Sequence, residues 1–414
     1  MNRLKYEVPK ELKRNFKSNK ISDKKLVITP TSLFYFAYAI WLIASIIFKV
    51  SMFSQILPYI IYTFIRIIAL SILIIRELWI KKYSRIEFLG IAIIGLLFII
   101  AIRSDTMILI DTILFIFCAR NVPFEKIIKL TFFIQAFLMI FIAGSSFAGI
   151  IENRTYVRSN GQMRWSIGYT YTTFPSQLCF YMTLMYIYIK KESIKIWNVI
   201  FLILINSFLY ILTDTKNPFY LVILFSIMAY MFKFSKQRMK NNIATRILFE
   251  YCIPAAALIM ILASMYYDPS NELHLFINTL LSKRLTLGNR AVLQYGFSIL
   301  GQPIQWIGNT IEYSNISAVY NYVDSSYLQI ALNQGVILLI LICVGFVLIG
   351  RKAITTGNKY LCLIILAISI HSAFDPQLFN LCYNPFILAL GYIFNKNFIK
   401  GENCVKKYNK KLFI

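Results

Sequence analysis

The chain has 414 residues; 58% are hydrophobic and 15% are charged, and the mean hydropathy is +0.64. A water-soluble fold of this length lacks the core volume to hide so much apolar surface, so the composition excludes most soluble enzymes. The net charge of +25, from 43 basic and 18 acidic residues, then becomes a question of where the basic residues fall between apolar stretches.

In chain order, residues 1–30 form a basic arm, read as a cytoplasmic tail leading into a signal anchor. It is not read as a cleaved leader, because the following apolar run is long and has no small-residue cleavage site. Twelve apolar stretches are predicted as spans: 31–49, 54–75, 86–102, 106–119, 127–149, 166–189, 196–213, 218–232, 248–266, 326–349, 360–374 and 379–395. The fourth, eleventh and twelfth are short enough to be re-entrant or core-packed instead. Nine spans thus fall in 31–266, with an outer loop at 150–165, and a 59-residue outer loop follows at 267–325. Three more spans fall in 326–395, and 396–414 is a second basic tail. With a cytoplasmic N-terminus, the inner segments are 1–30, 76–85, 120–129, 190–195, 233–247, 350–359 and 396–414. They carry 33 of the 43 Lys and Arg residues. The expected fold is therefore an all-α polytopic membrane protein of about twelve transmembrane helices, with both termini cytoplasmic. The basic charge reads as topological, and no nucleic-acid partner is expected. No internal repeat is visible, which weighs against an inverted-repeat transporter.

The seven cysteines are scattered singly, so neither a disulfide framework nor a CxxC metal site is available. There is no P-loop, DxD pair or HExxH motif, and neither a metal nor a cofactor is expected. The inner loops are too short for a nucleotide site, so any chemistry must face outward on a substrate held in the membrane. Within the spans, Arg66 and Asp111 would each be costly alone and are expected to pair. In the long outer loop, Leu273–Ile277 and Ala291–Tyr295 have the apolar spacing of short helices lying along the membrane surface. The outer basic residues are mainly arginines: Arg103, Arg154, Arg158, Arg164, Arg284 and Arg290, with Lys216 and Lys283. They run against the positive-inside bias and call for a counter-charge or an anionic ligand. Arginine's planar fork suits phosphate oxygens. The competing reading pairs them with the outer acids Asp105, Glu152, Asp214, Asp268, Glu272, Glu312, Asp324 and Asp375. Gln329, Asn333 and Gln334 at the head of the tenth span suit a wet cavity.

Four places then bear a family likeness: Arg164-Trp-Ser-Ile-Gly168, Thr213-Asp-Thr-Lys216-Asn-Pro-Phe, Leu287-Gly-Asn-Arg290 with Pro303-Ile-Gln-Trp-Ile-Gly308, and Val323-Asp324-Ser-Ser-Tyr-Leu328 with Gln334-Gly335-Val336. With these motifs the chain resembles the Wzy-type polymerases of O-antigen, capsule or exopolysaccharide repeat units, within the O-antigen ligase-like group. Lys216 stands where the family commonly has arginine. Asp324 stands where the ligases tend to have histidine, which favours the polymerase branch. The resemblance implies a GT-C-like membrane fold in the bacterial cytoplasmic membrane and an outer active site. It also implies undecaprenyl-pyrophosphate-linked oligosaccharides as substrates, with a chain-length regulator and a flippase as partners. On this reading Arg164, Lys216 and Arg290 bind pyrophosphate, Arg158 and Arg284 assist, and Asp324 is the base. Asp214 and His371 stand behind Asp324. Trp306, Tyr313, Tyr320 and Tyr322 are candidates for stacking on sugars. Two bland readings compete: Asp324 as a helix N-cap and His371 as a core residue. A ligase, a lipid-linked oligosaccharide flippase and a non-enzymatic scaffold remain as alternatives.

Overall fold

The protein is described from a computed structural model covering residues 29–80, 83–158, 161–234, 242–308 and 320–395. The basic tails up to residue 28 and from 396, the stretch 235–241 and Tyr313 lie outside the described residues.

The helices are α1 (Pro30–Ser45), α2 (Tyr59–Trp79), α3 (Arg85–Arg103), α4 (Ile108–Ala119), α5 (Phe124–Phe147), α6 (Phe174–Lys190), α7 (Ile196–Thr213), α8 (Lys216–Phe234) and α9 (Ile243–Met265). After them come α10 (Glu272–Leu280), α11 (Arg284–Tyr295), α12 (Ser326–Gln329), α13 (Val336–Thr355) and α14 (Lys359–Phe374), then a 3-10 helix at Pro385–Phe394. Local signals set many starts. Thr29 and Ser32 form a capping box ahead of Pro30, Ser84 and Glu87 form another, and Asn242, Asn271 and Asn358 cap α9, α10 and α14.

Among the described residues, eight helices are long and apolar enough to cross a membrane: Pro30–Val50, α2, α3, α5, α7, α8, α9 and α13. The chain is thus a largely helical polytopic membrane protein. Its burial pattern separates centre from perimeter. Twelve of the 17 residues of α6 are buried, against four of the 21 in α2. The outer helices carry large apolar side chains on their free faces, such as Phe64, Ile67, Phe133, Phe137, Phe201 and Phe208. Such a belt belongs in hydrocarbon, which solvates it without cost.

Three expectations are corrected. The tenth span does not begin at 326: α12 passes into a π-helical turn at Ile330–Gln334, and the long helix starts only at Val336. Gly335 makes the break, with φ +99 and a backbone so close to Gly301 N and Ile299 O that a Cβ would lie 2.6 Å from each. The twelfth stretch is not an α-helix. Its apolar residues are buried in the 3-10 segment, where Gly391 packs against the carbonyl of Ile116 in α4. The sixth begins at Phe174, because Gly168 turns the preceding chain at φ +79. The 150–165 loop also contains a small antiparallel hairpin, β1 (Thr155–Val157) and β2 (Met163–Trp165), in which Tyr156 faces Arg164.

Arg66 and Asp111 do pair inside the bundle. Arg66 Nη2 lies 2.7 Å from Asp111 Oδ1, Arg66 Nε donates to Oδ2 at 2.7 Å, and Trp41 Nε1 donates to the same oxygen at 3.0 Å. At one end of the bundle, ion pairs stitch the basic connections together. Arg120 bonds Glu77 and Glu87, Lys191 bonds Glu125, and Lys359 bonds Glu192. The other end holds the hairpin, α10, α11 and the site described next. Helices of 16–24 residues separate the two ends by about 24–36 Å.

Candidate functional site

The site is assembled from five separate stretches of chain. Strand β2 alternates exposed and buried positions, and Arg164 takes the buried one at 4% exposure. Its Nε donates to the Thr213 carbonyl at 2.6 Å and its Nη2 to Thr215 Oγ1 at 3.3 Å. Among the described residues no carboxylate lies within salt-bridge distance of it. Burial pushes its guanidinium pKa down. The two threonines belong to the link between α7 and α8, where Asp214 closes α7 in the left-handed region at φ 43. Asp214 pairs with Arg158 Nη1 at 2.6 Å. Lys216 opens α8, exposed and without an ion-pair partner among the described residues.

Arg284 enters from the start of α11. Its Nε lies 3.5 Å from Asp324 Oδ2 and donates to the Phe374 carbonyl at 3.1 Å. Asp324 is not a helix cap, since Ser325 occupies that position of α12. Asp375 ends α14. Gln177 Nε2 donates to its Oδ1 at 2.8 Å and Asn217 Nδ2 to its Oδ2. Ser326 Oγ donates to its carbonyl at 2.6 Å. Burial pushes the Asp324 carboxyl up to about 6, with Arg284 opposing and Asp375 reinforcing. Asp375 is also pushed up to about 6 by burial, against Arg284 and the two amide donors.

These groups line one cavity of about 290 Å³: Arg158, Arg164, Lys216 and Arg284 with Asp324 and Asp375, and the rings of Tyr171, Phe174, Tyr320 and Tyr322. Burial raises the pKa of Tyr320 and Tyr322, so both keep their phenol protons. Among the described residues no group of three or more His, Cys, Asp or Glu could hold a metal ion. Chemically, the cavity offers fixed cations for an anion, carboxylates able to accept a proton near neutral pH, and aromatic faces.

Eight of the residues singled out from sequence thus converge: Arg158, Arg164, Lys216, Arg284, Asp324 and Asp375, with Tyr320 and Tyr322 among the candidates for stacking. Asp214 joins through Arg158. His371 lies one turn before Asp375, fully buried, with its Nε2 3.5 Å from the carboxylate and its ring stacked on Phe180 at 4.3 Å. Arg290 is not brought in. It is exposed and lines a separate open depression with Tyr267, Thr286 and Asn289. The reason is helical geometry: six residues after Arg284, it points about 120° away and lies about 9 Å further along α11. The pairing reading holds for Arg154, Arg158 and Arg284, whose partners are Glu152, Asp214 and Asp324. Trp306 packs against Tyr295 and Tyr322 outside the cavity lining. Sequence reasoning missed Gln177, Asn217 and Gln377 as site residues. A polar amide inside the apolar run of α6 was the available signal.

Comparison of the chain with family models, with characterised proteins and with solved structures finds no match.

Proposed function

We propose that the protein is a polysaccharide polymerase working at the outer face of the bacterial cytoplasmic membrane. It transfers a glycan chain from undecaprenyl pyrophosphate onto the non-reducing end of a lipid-linked repeat unit. The acceptor hydroxyl attacks the anomeric carbon, the bond to the pyrophosphate oxygen breaks, and the diphosphate leaves with the electron pair. Arg164, Lys216, Arg158 and Arg284 hold the two anionic head groups and take up the developing charge. Asp324, with its raised pKa and partial exposure, accepts the hydroxyl proton. One observation carries the reading: four cations and two carboxylates from distant parts of the chain share one cavity. That cavity lies at the end of the bundle opposite the ion-paired basic connections.

A GT-C-like arrangement of twelve passes with both termini cytoplasmic goes with this reading. It is supported by the shorter elements, which also run end to end. The stretch after Asp375 finishes with Asn395 Nδ2 donating to the Arg120 carbonyl at 2.8 Å, at the opposite end. The positive-inside bias then puts the cavity outside.

The test is reconstitution in liposomes with undecaprenyl-pyrophosphate-linked repeat units. Wild type lengthens the glycan, whereas Arg164→Ala and Lys216→Ala leave single units. Movement of the lipid across the bilayer without lengthening would identify a flippase. A deletion strain that accumulates finished polymer on undecaprenyl pyrophosphate would identify a ligase.

A further inference from the structure

The cavity has a second half that holding a diphosphate does not require. Gln177, Asp375 and Gln377 are each more than nine-tenths buried, and Asn217 meets them from the first turn of α8. An ionised carboxylate only accepts hydrogen bonds, so Asp375 dictates how the amides that reach it are turned. Gln177 gives its Nε2 to Asp375 Oδ1 at 2.8 Å, and Asn217 gives its Nδ2 to Oδ2. The Oε1 of Gln177 is thereby turned away from Asp375, where Gln377 Nε2 donates to it at 2.8 Å. The ladder ends at Gln377 Oε1, a buried acceptor with no hydrogen-bond partner. A native fold rarely keeps such an atom without a use for it.

The direction of these bonds decides what fits. A carboxylate and an amide oxygen left without a donor repel a phosphate and welcome an O–H donor. The rings of Tyr171, Tyr320 and Tyr322 line the same cavity and offer faces for C–H groups. Hydroxyls on the rim and apolar C–H faces are the surface of a sugar. Asn217 follows Lys216 directly, so the amide half adjoins the cationic half, where Arg158 and Arg164 lie against residues 213–215.

We propose that Gln377, Gln177, Asp375 and Asn217 form a subsite for an uncharged, hydroxylated sugar, which is the acceptor end of the transfer, separate from the diphosphate half. This rests on the polymerase reading above.

The experiment uses the full chain in nanodiscs and two probes. One is inorganic pyrophosphate, followed by calorimetry. The other is the repeat-unit oligosaccharide released by mild acid from the cell's own lipid-linked pool, followed by saturation-transfer NMR. Gln377→Met is expected to weaken oligosaccharide binding about tenfold, the loss of one neutral hydrogen bond, while pyrophosphate binding stays within about twofold. Arg164→Met is expected to do the reverse. Asn217→Leu, at a less buried position, carries the same expectation as Gln377→Met and serves if that variant does not fold. If both amide variants bind the oligosaccharide as wild type does, while pyrophosphate binding and lengthening persist, the subsite is wrong and the polymerase reading stands. If wild type binds neither probe and lengthens no glycan, both fall together.

Discussion

Two arginines excluded from solvent allow a sharp comparison between a charge kept for the fold and a charge kept for a ligand. Arg120 is 0% exposed and Arg164 is 4% exposed. Arg120 bonds Glu87 at 2.8 Å, Glu77 at 2.7 Å and the Phe117 carbonyl at 3.0 Å. Among the described residues Arg120→Met leaves Glu87 without a cation and Glu77 with Arg76 alone, and breaking a buried pair in this way costs about 3–5 kcal/mol. Arg164 has no carboxylate partner among the described residues; it donates to the Thr213 carbonyl and Thr215 Oγ1 and lies 6.0 Å from the Tyr171 ring. Arg164→Met forfeits two charge-assisted bonds, about 1.5–3 kcal/mol each. It also relieves the desolvation of an uncompensated ion, which is several kcal/mol in the opposite direction. The net change is expected within about 2 kcal/mol of zero on these magnitudes. Glycan lengthening should nevertheless fall by at least about a hundredfold, the scale of losing one preorganised electrostatic contact to a transition state. Thermal unfolding in detergent, followed by size-exclusion chromatography, reads the first quantity, and polymer length on gels reads the second. The reasoning fails if Arg164→Met is destabilised as severely as Arg120→Met, or if it is stable and still makes full-length polymer.

Arg66→Leu should lower unfolding stability by about 3 kcal/mol, since Asp111 is fully buried and among the described residues would keep Trp41 alone as a side-chain hydrogen-bond donor. Adding Asp111→Leu should recover part of that loss, and a double variant no better than the single would count against the pair. Lengthening should rise with pH through about 6 as Asp324 loses its proton, and Asp324→Asn should remove activity at every pH. The same raised carboxyls act oppositely on stability. Asp324 and Asp375 bind protons more tightly folded than unfolded, so their contribution is largest below pH 4 and lost as pH rises through about 6. Asp375→Asn should flatten that slope in a melting series between pH 4 and 7. Arg290→Ala should leave polymer length near wild type, because the side chain lies outside the cavity. Loss of polymer in a well-folded Arg290→Ala protein would show that the cavity is not the whole site.

Much of the site was readable because arginines on the non-basic side of the bundle stand out against the expected charge bias. Arg158, Arg164, Arg284 and Lys216 were found that way, whereas Asp324 was picked out by the motif Val323-Asp324-Ser-Ser-Tyr-Leu328 that carries the family resemblance. The same charge bias and the Leu287-Gly-Asn-Arg290 motif also selected Arg290, although its helical phase relative to Arg284 already separates the two. The amide floor was not found. Gln177 and Asn217 are unremarked polar residues until the fold brings Asp375 to them.

Membership of the membrane class and the positions of seven of the eight long apolar helices were determined by the sequence alone. Apolar length and the sign of charge are properties of a stretch of chain, and a bilayer selects on them directly. Tertiary structure decided where a run breaks and which polar groups meet. Gly335 interrupts the tenth stretch because the backbone of Gly301 and Ile299 packs against it. Arg164 meets Thr213 across 49 positions, and Gln177 meets Asp375 across 198. No local pattern encodes such pairs, because they exist only once separate helices have packed and the buried polar groups have had to find one another.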